Sequence, residues 1–205
     1  MQQKLIGLHQ FKKIKQLKMI IVILIASAIA ATLMWKYLGE DPADNLQIPQ
    51  SSNYTYQTPR AIAPSDIINQ IESNIGKPIL LHLYTTWCGI CKKQLPVINE
   101  MSRKFQNTDL KVIIVAIDRN IDSESLKTYL EYHKNIYFEP QFLVYNDGLS
   151  DLLSQKNIRY NRVVPLTVLI DRSGKVDLRF TGYKKEHYVN RKIIKSLIFQ
   201  NDQNI

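Results

Sequence analysis

The chain has 205 residues, 45% of them apolar, with two cysteines, four histidines and a formal charge of +9. That length allows one ordinary domain plus appendages, and two cysteines are too few for a multiply cross-linked scaffold. The charge is not a nucleic-acid footprint. Of the 27 basic residues, six lysines (4, 12, 13, 15, 18 and 36) precede the first acid, Glu40, leaving 21 against 18 acidic residues in the remainder.

Residues 1–18 form a basic segment, and Met19 to Trp35 is an apolar run without charge or proline, followed by Trp35-Lys36-Tyr37. Seventeen residues rising about 1.5 Å each span about 25 Å, at the short end of a membrane-crossing helix. Lysines before the run and aromatics after it predict a single transmembrane anchor over 19–37, residues 1–18 cytoplasmic and the rest exported. Ala26-Ser27-Ala28 and Ala28-Ile29-Ala30 also fit a signal-peptide cleavage site, and this alternative stays open. Residues 38–64, rich in Pro, Asn, Gln, Ser and Asp, read as a tether, in which Tyr54 and Tyr56 are candidates for the start of an edge strand.

A domain is expected over 65–200. Ser65 is a suitable N-cap for an amphipathic helix presenting Ile67, Ile68, Ile71 and Ile75, with Gly76 as its C-cap. Ile79 to Tyr84 reads as a buried strand, Cys91 to Met101 as a helix with apolar residues at 91, 95, 98 and 101, and Leu110 to Ile117 as a central strand. Asp122 or Ser123 caps a helix reaching about His133. Phe142-Leu143-Val144 suggests a further strand, Leu149 to Lys156 a short helix, Leu166 to Ile170 and Lys175 to Phe180 a hairpin, and Glu186 to Phe199 a closing helix. Alternating strands and helices followed by a hairpin predict an α/β domain, a mixed central sheet with helices on both faces.

Both cysteines lie in Trp87-Cys88-Gly89-Ile90-Cys91-Lys92, where a strand gives way to a helix. Free amides and the positive end of the helix dipole at that position favour a thiolate at Cys88, and Cys91, one turn on, is able to close a disulfide onto it. Half a zinc site has the same spacing, but a closed site needs four ligands and only scattered histidines remain. A purely structural disulfide would close too short a loop to constrain the unfolded chain much. Thiol-disulfide redox chemistry accounts best for the pair, with no bound cofactor beyond the cysteines and no metal.

The segment Trp87 to Lys92 after an apolar strand, with Pro96 beyond it, resembles the active-site segment of the thioredoxin superfamily. Val163-Val164-Pro165-Leu166-Thr167 through Lys175 resembles the cis-proline strand and turn of its TlpA-like, membrane-anchored branch, and the match covers about 61–200. The resemblance implies a thioredoxin-like fold with an inserted strand and helix between the central strand and the proline. It also implies a cis Val164-Pro165 bond beside the cysteines, where the Val164 backbone pairs with an extended client.

The implied mechanism is attack by Cys88 on a client disulfide and resolution by Cys91, with Pro165 forming the groove and Trp87, Gly89, Ile90 and Val164 contacting the client. The family carries a buried acid where this chain has His82. The histidine is either a satisfied core residue or the acceptor of the Cys91 proton. Glu100, Lys92, His9, His133 and His187 read as solvated or without chemical role.

Gly89-Ile90 sets no redox direction, since it is neither the Gly-Pro of thioredoxin nor the Pro-His of strongly oxidising relatives. The expected role is reduction of exported client proteins, for instance in cytochrome c maturation, with the pair recycled by a thiol-disulfide partner in the inner membrane. An exported oxidase or isomerase is the first alternative. A copper(I) metallochaperone drawing on His187 is the second.

Overall fold

The structure is a computed structural model that describes residues 24–25, 27–30, 57–133, 135–145 and 147–198. The chain divides into two compact units, over 1–47 and 48–205. In the first, the described residues are helical, with Leu24, Ile25 and Ile29 exposed. The basic segment 1–18, most of the expected anchor over 19–37, and Tyr54 and Tyr56 lie outside the described residues. Among the described residues no helix is long and apolar enough to cross a membrane.

The second unit contains, in chain order, β1 (Arg60–Ile62), α1 (Pro64–Glu72), β2 (Ile79–Tyr84), α2 (Gly89–Lys104), β3 (Lys111–Ala116), α3 (Ser123–Glu131), β4 (Gln141–Leu143), α4 (Leu149–Gln155), β5 (Leu166–Ile170), β6 (Val176–Thr181) and α5 (Glu186–Ile198). The strands make one sheet in the order β1-β4-β3-β2-β5-β6. β1 to β4, β4 to β3 and β3 to β2 are parallel, while β2 to β5 and β5 to β6 are antiparallel.

β2 lies at the centre, paired on both sides, and all six of its residues are buried. Successive side chains point to opposite faces. Leu80 and Tyr84 join a core with Leu95, Ile98 and Met101 of α2 and Val189 and Ile193 of α5. Ile79, Leu81 and Leu83 join a second core with Ile67 and Ile71 of α1 and Leu149 and Leu153 of α4. A strand sandwiched in this way has no solvent side, which is why it reads as a continuous apolar run.

Three local expectations are corrected. Arg60–Ile62, assigned to the tether, is the edge strand: Arg60 and Ile62 register with Gln141 and Leu143, so the ordered domain begins before residue 65. The first helix is capped at Ala63 rather than Ser65, because Asp66 reaches back to accept a 2.9 Å bond from the Ala63 N–H and Pro64 presets the first turn. It also ends at Glu72, with Ser73 as C-cap, so Gly76 serves the following turn at φ +99° and Ile75 is 53% exposed instead of inward. The other elements predicted for the domain are present with boundaries shifted by a few residues at most.

Candidate active site

Cys88 is the N-cap of α2, in extended conformation, at the carboxyl end of β2. Its position follows from the chain path, since the strand must leave the sheet and the helix must start on the covered face, so the cap lies at the rim. Its Sγ accepts a 3.2 Å hydrogen bond from the Cys91 N–H, one of the donors that a helix start leaves without a helical partner. Cys88 is 8% exposed and Cys91 is fully buried, and both are free thiols.

The two sulfurs are therefore inequivalent. Burial, together with the neighbouring Cys88 through hydrogen bond and charge, pushes the Cys91 thiol up to about 12, while the Thr85 backbone and side chain act in the opposite sense. Cys91 is thereby held as a thiol. Once Cys88 is bound in a mixed disulfide its sulfur can carry no charge, and that contribution to the high value of Cys91 is absent.

The Val164-Pro165 peptide is cis, and the Cys88 thiol points to the Val164 carbonyl oxygen at 3.9 Å. The strand that follows is anchored in the sheet, with Leu166 registered to Leu83 and Thr181. Gly182 N–H donates to the Pro165 carbonyl at 3.1 Å, and Lys184 N–H donates to Gln94 Oε1 at 2.7 Å. The proline loop, the segment after β6 and α2 are thereby tied together behind the cysteines.

Beside the pair opens a groove of about 460 Å³, lined by Trp87, Asp118, Arg119, Asp151, Arg162 and Val164 among others. Trp87 is 72% exposed, an outward-facing indole on the groove wall. The backbone under it is held by Asp118, which accepts from the Thr86 N–H at 3.0 and 3.1 Å and from the Thr86 hydroxyl at 2.7 Å. Ile90 is half exposed on the first turn of the helix. Gly89 at the first helical position has open space where a Cβ would be, so neither its conformation nor its packing demands glycine.

His82 is fully buried on the cysteine side of β2, with its ring stacked on Tyr84 at 6.0 Å and Nδ1 2.9 Å from the Thr167 hydroxyl. Burial lowers its pKa from 6.5 to about 3, so it is neutral near pH 7 and a poor acceptor for a thiol proton. Its Nε2 has no hydrogen-bond partner among the described residues, so it is a core histidine bonded on one side only, and its low pKa argues against the proton relay. The residue bearing on Cys91 is Thr85.

Thr85, Gln94 and Asp118 were not singled out from the sequence. A signal existed for Asp118, which directly follows a buried parallel strand, where site residues concentrate at the carboxyl ends. None existed for Gln94, an amide within a helix. Among the described residues no group of three or more His, Cys, Asp or Glu side chains is placed to hold a metal ion, and His187 is exposed on α5.

Residues 68–203 match the AhpC/TSA family. Thioredoxin Y1 of Arabidopsis thaliana is 32% identical over 108 residues, covering 51% of this chain and 58% of that protein, so the chain spans little more than half of that relative's length. The thiol:disulfide interchange protein DsbE of Escherichia coli is 26% identical over 179 residues, covering 82% of this chain and 86% of that protein. Among solved structures, a thiol:disulfide interchange protein from Chlorobium tepidum superposes with a TM-score of 0.50 at 18% identity, covering 62% of this chain and 83% of that one, and it bears on the fold alone. With the cysteine pair at a strand-to-helix junction and the cis-proline loop against it, the chain belongs to the AhpC/TSA family and is similar over most of its length to a thiol:disulfide interchange protein.

Proposed function

We propose that the protein is an exported, membrane-tethered oxidoreductase that reduces disulfides in client proteins through Cys88 and Cys91. The observation that carries this reading is the inequivalence of the sulfurs: one at the rim beside the Val164 carbonyl, the other sealed beneath it and held as a thiol. Cys88 attacks a client sulfur, expelling the other client sulfur, and a mixed disulfide forms along the proline loop. Cys91 then attacks Cys88 and releases the reduced client; oxidation of a client dithiol is the same sequence reversed. Trp87, Ile90 and the Val164 backbone supply the contact surface for an extended client segment, and the residues flanking Gly89 place it over Cys88.

Export and tethering rest on the apolar run over 19–35 with lysines before it and aromatics after it, and on the exposed Leu24, Ile25 and Ile29 of its helical piece. An exported pair tends to be oxidised unless it is recycled, so a reducing role requires a membrane thiol-disulfide donor. A cytochrome c maturation type of client fits that setting.

The reduction potential of the full chain tests the direction, with the pair equilibrated in dithiothreitol or glutathione buffers and read by thiol trapping. A value near about −250 mV or lower supports the reductase. One near about −130 mV makes the protein an oxidant. Failure to form a Cys88–Cys91 disulfide, together with stoichiometric copper(I) retained through purification, would support metal carriage instead.

A further inference from the structure

We propose that the groove beside Cys88 selects client segments carrying charges of both signs, and that Arg162 is the specificity-determining residue that receives the acidic side chain. The inference rests on the thiol-disulfide exchange reading and names the class of client: a peptide segment with an acidic and a basic residue close to its cysteine.

The groove opens where β2 and β3 end, with Thr85 following the first strand and Asp118 and Arg119 following the second. Crevices at the carboxyl ends of parallel strands are where open α/β sheets bind ligands. It begins next to the reacting sulfur, since Val164 lines it and the Val164 carbonyl is 3.9 Å from Cys88 Sγ. Its far side is built by the start of α4, and the Ser150 hydroxyl donates to the Tyr160 carbonyl at 2.8 Å, which joins that helix to the segment leading to Val164.

Four charged side chains on its walls are exposed: Arg119, Arg162, Asp147 and Asp151. Among the described residues none of them takes part in an ion pair, although both signs share one concavity. Asp118 differs, because its carboxylate is spent on Thr86. Charges left open in a cleft act on whatever enters it, where the field is focused. A wholly apolar segment would cover them without partners, and a segment of one sign would meet its own sign on the wall. Charges of both signs satisfy the groove.

Arg162 stands out among the four. Its backbone lies at φ +58°, a region in which the Cβ crowds the chain. The other non-glycine residues at positive φ are Asn120 and Asn157, of the type that tolerates it, whereas an arginine has no such local compensation. Held conformations of this kind concentrate at functional sites. Arg162 is also two residues ahead of Val164, so its conformation sets where the guanidinium emerges relative to the backbone along which the client lies. The planar fork of N–H donors fits a carboxylate.

The test uses the reduced full chain and synthetic disulfide-bonded peptides that differ only beside the cysteine. One carries Glu and Lys, prepared in both orders with the faster retained; a second has Gln in place of Glu, and a third has Gln in place of Lys. The parent is expected to reduce the first about 5- to 10-fold faster than either of the others, the range for a charge-assisted contact in a partly open site, with the advantage shrinking as salt is raised. In Arg162→Gln the advantage over the peptide lacking Glu falls to within about twofold, while that over the peptide lacking Lys remains. Asp147→Asn combined with Asp151→Asn gives the converse.

Arg162→Gly separates selection from structure. Glycine adopts positive φ freely, so the melting temperature is expected to stay within about 2 °C of the parent or to rise, while the discrimination is lost as in Arg162→Gln. Equal rates for the three peptides in the parent, or discrimination that survives in both Arg162 variants, would overturn the proposal. Hydroxyethyl disulfide, small and uncharged, is expected to be reduced within about twofold of the parent rate by every variant. If the parent fails to reduce even that compound, the exchange reading fails first and this assignment falls with it; if it reduces that compound and all three peptides alike, only the charge selection is refuted.

Discussion

Acid should destabilise the domain through His82. The imidazole is neutral in the folded state, with a pKa of about 3 against 6.5 for the free side chain. Above pH 6.5 neither state binds the proton, so the residue makes no difference there. As the pH falls below 6.5 the unfolded chain takes up a proton that the folded chain refuses, and stability is lost until the pH reaches the folded value near 3. The slope within that window is about 1.4 kcal/mol per pH unit, giving about 2 kcal/mol at pH 5 and about 3 kcal/mol at pH 4. The perturbation is His82→Gln, which removes the titration and keeps a group able to bond the Thr167 hydroxyl. Urea unfolding of parent and variant at pH 7, 6, 5 and 4 gives the stability difference at each point. Subtracting the variant cancels the carboxylates, which titrate in both proteins. The parent is expected to lose ground to the variant steadily below pH 6.5. A difference flat from pH 7 to 4, or an imidazole in the folded protein titrating near 6.5 by NMR, would refute the reasoning and return His82 to the list of acid-base candidates.

Asp118→Ala removes every acceptor holding the Thr86 N–H and hydroxyl, and is expected to cost about 2–3 kcal/mol, read as a fall in melting temperature of about 5–10 °C, with Asp118→Asn in between. Cys91→Ser should trap Cys88 in a mixed disulfide with a client, visible as a thiol-reversible adduct on a non-reducing gel; Cys88→Ser should give none. Trp87→Ala should leave the melting temperature within about 2 °C because the indole is 72% exposed, yet slow reaction with a protein client several-fold more than reaction with a small disulfide. Gln94→Leu, which strips the acceptor from the Lys184 N–H and with it the tie between α2 and the segment after β6, should cost about 1–2 kcal/mol in a urea titration.

Much of this protein was legible from local pattern. A run such as Ile79 to Tyr84 has few alternatives to a buried strand, and the spacing of Cys91, Leu95, Ile98 and Met101 specifies which face of the next helix is inward. Two cysteines at that junction, and a proline ahead of Leu166 to Ile170, then define the reacting pair and the loop beside it, because their chemistry depends on near neighbours in the chain.

What remained hidden depends on partners distant in sequence. Arg60–Ile62 is three residues long with two of them exposed, and it is a strand only because Gln141–Leu143 lies alongside. The capping of the first helix turned on the reach of Asp66 rather than on the stronger capping type at Ser65. The backbone beside Trp87 is held by the Asp118–Thr86 contact, 32 residues apart.

Composition and order thus determined the α/β class, the cysteine pair and the proline loop. Tertiary structure alone decided that His82 is sealed against Thr167 and that Cys91 is fully buried while Cys88 keeps some exposure. Burial and charge act through space, and the distances that scale them are not written in the spacing of residues along the chain.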